Sequence, residues 1–291
     1  MARGLDHVAH AVRDLDAAGE LYRRLGFAVG ARNRHPWGTH NRIVQLPGFF
    51  IELLTVGEPD KLVGDGFPVL FGGFTQAFLK RGEGLNLLLL ESHDAAGDAA
   101  AFRQAGIAAS DALRFERGGR RPDGAAVHVA FSVAFARDNA APSAGFAVCQ
   151  QHFPENFWNP TFQDHPNTAT AIAGVVLVAE NPADHHVFLS AFAGERELLA
   201  TSTGVTVKTP RGEIQAMDPA AFESHFGVAA PDVSGGARLA AMRFAVGDLG
   251  RARAAVESAT PSVTVRMGRI VVGPQVAMGA TLVFEQAGAA R

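Results

Sequence analysis

Apolar and polar positions follow a recognisable order at the start of the chain. Residues Leu5–Val12 form a short run rich in β-forming side chains, which stops before Asp14. The carboxylate of Asp14 can cap a helix over Leu15–Leu25, whose apolar residues recur at helical spacing, and Gly26 can end that helix. The unit therefore has the order β-α-β-β-β, with its last three strands predicted at Phe27–Arg32, Arg42–Leu46 and Phe49–Val56.

The same order returns three times. The segment from Gly84 to Asp94 repeats the segment from Gly4 to Asp14 at a constant offset of 80 residues. Further copies start near residues 172 and 239, so the recurrence is roughly 70–90 residues. The remaining predicted elements are helices over Ala95–Ala105 and up to Phe192, and strands at Leu113–Arg117, Ala126–Phe135, Gly145–Gln151, Ile172–Ala179, Arg196–Ala200, Gly204–Lys208, Glu213–Met217, Leu239–Val246, Arg269–Val272 and Ala280–Glu285.

These repeats predict an α+β fold class, with four βαβββ modules paired into two domains with curved mixed sheets. One half-sheet cannot close a core alone, so the modules should pair. The predicted domains are residues 1–160, which carry the candidate site, and residues 161–291, a degenerate second pair. Two pairings are possible: module one with two and three with four, or module one with four and two with three. The alternative is a generic α+β protein without repeats. However, the helix caps, the glycines that end helices and the constant offset all agree with the repeat.

Composition narrows the classes of function. The formal net charge is −3 without a block of one sign, which argues against nucleic-acid binding. No apolar run approaches the ~18 residues of a membrane span, and the N-terminus is polar by Asp6, so we expect a cytoplasmic protein without a membrane partner. The single cysteine, Cys149, excludes an internal disulfide and a multi-cysteine zinc cluster. No phosphate-binding loop, dinucleotide fingerprint or Gly-x-Ser-x-Gly elbow is found.

A βαβββ unit that opens with Leu5-Asp6-His7 and closes on a strand containing Ile51-Glu52-Leu53 resembles the vicinal oxygen chelate superfamily. That superfamily includes glyoxalase I, extradiol dioxygenases, methylmalonyl-CoA epimerase and antibiotic-resistance binding proteins. Three stretches are similar to the glyoxalase-like domain family: His35–Val56, Val148–Asn167 and Gly273–Glu285. The resemblance implies the fold more firmly than a reaction.

The resemblance also implies a divalent metal with ligands from the first and last strands of paired modules. His7 and Glu52 occupy those positions in module one, whereas Leu87 in module two cannot ligate. The last strand of module two offers Cys149 to His152, of which His152 is favoured chemically. The set His7, Glu52 and His152 would suit Fe, Mn, Zn, Ni or Co. If module one pairs with module four, Glu285 could replace His152.

The residues themselves support a role for His7 and Glu52 in catalysis. In a strand, His7 shares a face with Ala9 and not with His10, so it can reach a cavity wall that His10 does not. Glu52 is the only charge in the apolar strand Phe49–Thr55. A buried lone carboxylate should pair, coordinate a metal or take up a proton, and in the last case it could act as a general acid–base.

Five further residues are predicted to bind substrate because they lie in polar–aromatic segments: His35, Trp37, Thr39, Asn41 and Trp158. Ordinary turn chemistry, or a linker fixed by Trp158, is the alternative. Cys149 has apolar neighbours and is interpreted as a small core residue.

The leading prediction is a metal-dependent lyase, isomerase or ring-cleaving dioxygenase for a small organic substrate with vicinal oxygens. The alternative is a metal-free protein that binds and sequesters a small hydrophobic molecule, as bleomycin-resistance proteins do. A third hypothesis is a degenerate homologue whose second pair only completes the fold or a homodimer. In the first two cases the partner is a small molecule.

Overall fold

The computed structural model describes residues 1–120 and 124–288 and contains two eight-stranded mixed sheets. The strands of the first sheet are β1 Leu5–Ala11, β2 Asn33–Arg34, β3 Thr39–Leu46, β4 Phe49–Val56, β5 Gly84–Glu91, β6 Leu113–Arg120, β7 Ala126–Ala136 and β8 Gly145–Gln151. Those of the second sheet are β9 Ala169–Val178, β10 Leu198–Thr201, β11 Gly204–Lys208, β12 Glu213–Met217, β13 Arg238–Val246, β14 Val263–Arg266, β15 Arg269–Val272 and β16 Thr281–Gln286. The α-helices in these ranges are α1 Leu15–Arg24, α2 Phe74–Leu79, α3 Ala95–Gln104, α4 Pro154–Phe157, α5 His186–Ala193, α6 Pro219–Phe226 and α7 Leu249–Ala259.

Each sheet consists of two modules joined along their first strands. β1 runs parallel to β4 of its own module and antiparallel to β5 of the next. β9 pairs in the same way with β12 and β13. The strand orders are β2-β3-β4-β1-β5-β8-β7-β6 and β10-β11-β12-β9-β13-β16-β15-β14. The predicted α+β fold with four βαβββ modules is confirmed, and module one pairs with two, as three does with four.

The helix boundaries follow the predicted signals. Asp14, Asp94 and Asp248 each accept a hydrogen bond from a backbone N–H in the first turn of α1, α3 and α7. Gly26 and Gly106, just beyond α1 and α3, have φ of 83° and 71°, a conformation that glycine adopts without a Cβ clash. Among the described residues, no helix has both the length and the apolar character needed to cross a membrane.

The main hydrophobic core takes side chains from both sheets, for example Leu15 and Tyr22 from α1 and Phe244 from β13. His10 of β1 lies in this core and joins the two halves. Its Nε2–H donates to the Met278 carbonyl at 2.9 Å, and its Nδ1 lies 2.9 Å from the Tyr22 hydroxyl. Burial is the main reason why the pKa of His10 falls to about 4. A neutral His10 therefore helps to hold the halves together.

The face of each sheet that is turned away from the other sheet, here called its distal face, carries a separate apolar cluster. On the first sheet this cluster includes Trp37 and Phe131, and on the second it includes Phe222 and Phe226 of α6. The distal face of the first sheet forms the candidate site.

Several regions differ from the sequence prediction, among them β14, which was not predicted. Phe27–Arg32 is not a strand, and β2 has only two residues. Phe27 packs against Phe244 and Phe284 of the second sheet, so this segment follows the inter-sheet core rather than a strand path. A π-helical turn over Pro68–Gly73 continues into α2, and neither it nor α6 was predicted.

Candidate functional site

A partly open cavity lies against the distal face of the first sheet. About 50 Å³ is open to the centres of water molecules, which is room for about three to five waters or for a ligand of similar volume. The polar residues of its wall include His7, His35, Asn41, Glu52 and Arg117. Its apolar wall is largely aromatic, with Trp37 and six phenylalanines: Phe50, Phe67, Phe71, Phe115, Phe131 and Phe157.

His7 is held in this cavity by contacts on two sides. Its ring stacks on Phe50 with 4.1 Å between centroids, and its Nδ1 lies 2.5 Å from Oδ1 of Asp6. Gln151 donates to the other Asp6 oxygen at 3.1 Å. A carboxylate at Nδ1 keeps the proton on that nitrogen and leaves Nε2 with its lone pair. His7 is thereby oriented to act as a ligand or a base through Nε2.

A register shift brings Asp6 to its histidine. In a regular strand, side chains of consecutive residues point to opposite faces. Between β1 and β5, however, Leu5 pairs with Leu90 and His7 with Leu89, so Asp6 is the additional residue of a bulge. Asp6 was not predicted as a site residue, and strict alternation of side chains would have placed it away from His7.

Glu52 lines the same cavity as His7. Its Oε1 accepts a hydrogen bond from Nδ2 of Asn41 at 2.6 Å and lies 3.7 Å from Nε2 of His35. Burial raises the pKa of Glu52, and His7, Asn41 and Arg117 oppose that rise. A carboxyl group with a raised pKa is suited to proton transfer.

His35 and Trp37 form one side of the cavity, in a stack with Phe67. The His35 ring lies 4.5 Å from Trp37, and the Trp37 ring lies 4.6 Å from Phe67. Burial, followed by the charges of Arg117, His40 and His7, lowers the pKa of His35 to about 3. His35 is therefore a neutral hydrogen-bonding group. Thr39 does not itself line the cavity and acts through His35, whose Nδ1 lies 2.8 Å from the Thr39 hydroxyl.

The structure places three of the predicted site residues outside the cavity, namely Thr39, His152 and Trp158. His152 follows the end of β8, where its Nε2 lies 2.8 Å from the hydroxyl of Ser132, and it is not brought together with His7 and Glu52. Side chains alternate along β8, so Cys149 rather than His152 reaches the site. Trp158 lies 6.0 Å from Phe50 between ring centroids and lines a second pocket, whose wall also includes Asp6 and Cys149.

Cys149 lies close to the Asp6–His7 pair. One ligand atom of each of these three buried residues lies within 4.8 Å of the others. Burial, with Asp6 and Glu52 nearby, raises the pKa of the Cys149 thiol. The interpretation of Cys149 as a small buried residue agrees with its position, but that position is also in the cavity wall.

Arg117 is a cavity residue that sequence reasoning missed. Its Nε is fully buried, and among the described residues no hydrogen bond or ion pair forms with its side chain. Burial lowers its pKa, and the nearby Glu52 opposes that change. The alternation of Leu113, Phe115 and Arg117 along a predicted strand puts this charge on an apolar face, the same signal that identified Glu52.

The other modules do not repeat the polar pair. Strand register places Leu87 and Ala147 in module two where His7 and Glu52 lie in module one. On the second sheet, the buried Arg243 lies 2.6 Å from carboxylate oxygens of both Glu213 and Glu285. Glu285, considered as a replacement for His152, is therefore engaged in the other sheet.

Comparisons with known proteins agree with this architecture. The model of the glyoxalase-like domain matches residues 5–192. A hypothetical protein from Staphylococcus aureus superposes with a TM-score of 0.65 at 12% identity, covering 98% of this chain and 99% of its own. The Mn(II)-bound glyoxalase from Novosphingobium aromaticivorans gives 0.55 at 11% identity, with 98% and 82% covered. A xylose isomerase-like TIM barrel/4-hydroxyphenylpyruvate dioxygenase fusion protein gives 0.53 at 15%, with 100% and 50% covered. No protein with a curated description matches.

Proposed function

The chain belongs to the glyoxalase-like domain family, and from this premise we propose that it is a divalent-metal-dependent enzyme acting on a small organic substrate with vicinal oxygens. The observation that carries the proposal is that His7 and Glu52 share one cavity, each oriented by its own polar partner. The reaction proposed is of the lyase, isomerase or ring-cleaving dioxygenase type. The Mn(II) and the dioxygenase named for two structural neighbours are compatible with this chemistry.

The residues present fit a metal with two or three protein ligands. Nε2 of His7 and the carboxylate of Glu52 are the proposed ligands, and the Cys149 thiol in the same cavity wall offers a third donor in place of His152. Asp6 then orients His7 from behind, as carboxylates do for many metal-binding histidines.

The bound ion would polarise vicinal oxygens of the substrate and stabilise charge that develops on them. The protein's own groups have separate tasks. Asp6 keeps the proton on Nδ1 of His7, and Asn41 fixes one oxygen of Glu52. Glu52 can accept a proton from the substrate or return it. The aromatic walls surround these groups with apolar surface and so limit the access of water.

Titration of metal-free protein with Co²⁺, followed by absorption and calorimetry, tests this proposal. We expect one ion per chain and a loss of affinity of roughly 10–100-fold or more in both His7→Ala and Glu52→Gln. His128→Ala is the matched control, because His128 is a half-exposed histidine of β7 outside the cavity. Equal Co²⁺ affinity in all three variants, or no uptake by the wild type, would refute a metal site at His7 and Glu52.

A metal-free binding protein is the second candidate. It is favoured by the apolar Leu87 and Ala147 at the two repeated ligand positions and by the six phenylalanines of the wall. This candidate would gain support if the wild type takes up no Co²⁺ yet binds aromatic ligands with the same affinity in the presence and absence of divalent ions.

A further inference from the structure

The cavity contains a cation whose side chain forms no hydrogen bond or ion pair among the described residues. This cation is Arg117, and its Nε is fully buried. A buried charge without a partner costs free energy, so proteins usually pair it. Glu52 is close enough to affect the pKa of Arg117, but the two groups form no ion pair within 4.0 Å. Arg117 is therefore available to an anion that enters from outside.

Arg117 lies at the boundary between two spaces. It lines the cavity and also an open groove on the surface beside β3 and β7. Ile43 and Phe157 are shared by both spaces as well, so these three side chains separate them. A ligand that enters from the groove meets Arg117 before it reaches His7 and Glu52.

The walls next to Arg117 suit a flat ring. Phe115, two residues away on β6, stacks on Phe131 with 5.1 Å between centroids and meets Trp37 edge-on at 4.9 Å. Nε1 of Trp37 is a second fully buried donor that finds no hydrogen-bond partner within the part of the chain that the structure describes. Aromatic rings pack well in stacked and edge-on arrangements of this kind. The pocket thus combines unused donors with aromatic surfaces.

We propose that Arg117 is the anion-binding residue of this cavity and that the ligands are small aromatic carboxylates. The planar guanidinium matches a planar carboxylate through two parallel hydrogen bonds, and the restricted space favours that group over a bulkier tetrahedral phosphate. The ring packs against the aromatic side chains that line the cavity, which His7 and Glu52 also line. The inference rests on the proposed function in taking this cavity as the active site, and it adds the class of substrate.

The test uses metal-free protein and three acids, benzoate, phenylacetate and phenylpyruvate, each beside its neutral amide. Binding is measured by calorimetry. For at least one acid, we expect Arg117→Gln to weaken binding roughly tenfold or more, because it removes a charge-assisted hydrogen bond, and to change binding of the amide by less than about twofold. Arg117→Lys should recover part of the loss. Arg114→Gln, a half-exposed position on the same strand with opposite side-chain direction, should change neither.

Equal losses for acid and amide would show that Arg117 only shapes the wall, and the proposal would then be wrong. It would also be wrong if no acid of the panel binds the wild type. If Arg117→Gln does not fold, Arg117→Lys is used instead. The quantity compared with the wild type is then the affinity for each acid relative to its amide, and an unchanged ratio for every acid overturns the proposal.

Co²⁺ binding by Arg117→Gln is measured separately. Arg117-dependent binding of the acids without Co²⁺ uptake would refute the metal proposal alone, and Co²⁺ uptake without acid binding would refute this one alone.

Discussion

At the scale of the residue, burial acts on the titratable groups of the cavity in one direction. It raises the pKa of Glu52 and lowers that of His35 to about 3, so it favours the neutral form of both. The thiol of Cys149 is kept protonated in the same way. The metal-free cavity is therefore short of negative charge near its ligating atoms, and binding of a cation must be coupled to loss of protons.

Glu52 gives a prediction on stability as a function of pH. A carboxyl group whose folded-state pKa is raised contributes stability below its ordinary pKa of 4.5, and this stability is lost as pH rises through the folded value. The free energy of unfolding of metal-free wild type, relative to Glu52→Gln, should thus fall as pH rises above 4.5, by up to about 1.4 kcal/mol per pH unit. Urea unfolding of both proteins at a series of pH values measures the difference.

Comparing wild type with Glu52→Gln cancels the contributions that other titratable groups make to the free energy of unfolding. His10 and His35 have lowered pKa values and destabilise the fold as pH falls below 6.5, but they do so in both proteins. The control is Glu257→Gln on the exposed face of α7, which should keep the wild-type pH profile. Parallel profiles for wild type and Glu52→Gln would mean that Glu52 is not a buried acid with a raised pKa.

At the scale of the element, the N-cap of α1 is directly predictable from the sequence. Oδ1 of Asp14 accepts from two backbone N–H groups at 2.9 Å each. Asp14→Ala should therefore lower the free energy of unfolding by about 1 kcal/mol, whereas Asp14→Asn, which can still cap, should cost much less. Urea unfolding at neutral pH distinguishes them. Equal losses for the two variants would show that the hydrogen bonds of the cap are not what stabilises α1.

The elements also show how far sequence reasoning reaches. Caps, ending glycines and the 80-residue offset are local signals, and they predicted the four modules, which the structure confirms. His7 and Glu52 were found from alternation and from charge in an apolar strand, and both lie in the cavity. The prediction of a strand at Phe27–Arg32 was wrong because non-local contacts with the second sheet determine the path of this segment.

Physical reasons also explain why some features of the site were not predicted from the sequence. The bulge at Asp6 depends on pairing between β1 and β5, which no single strand reveals. The placement of His152 depends on where β8 ends and on the phase of alternation along it. Arg117 differs from these two, since its position on an apolar strand face was readable from the sequence.

At the scale of the whole molecule, the two sheets have divided their roles. The first keeps His7, Glu52 and Arg117 around a cavity. The second places the buried Arg243 between the carboxylates of Glu213 and Glu285 on its distal face. Because the main core is shared by both sheets, we infer that the second sheet supports the site by stabilising the core beneath it.

This inference predicts that the two sheets unfold together. Arg243→Met removes the cation shared by Glu213 and Glu285 and should cost about 3–5 kcal/mol, as the loss of one partner of a buried ion pair does. Both tryptophans, Trp37 and Trp158, precede the second sheet in the chain. If the core couples the sheets, tryptophan fluorescence and far-UV circular dichroism should shift to the same lower urea midpoint, because one transition then involves the whole chain. Arg251→Ala, an exposed site on α7, should leave both midpoints in place. A fluorescence transition that stays at the wild-type midpoint while circular dichroism shows an earlier step would mean that the first sheet is stable without the second.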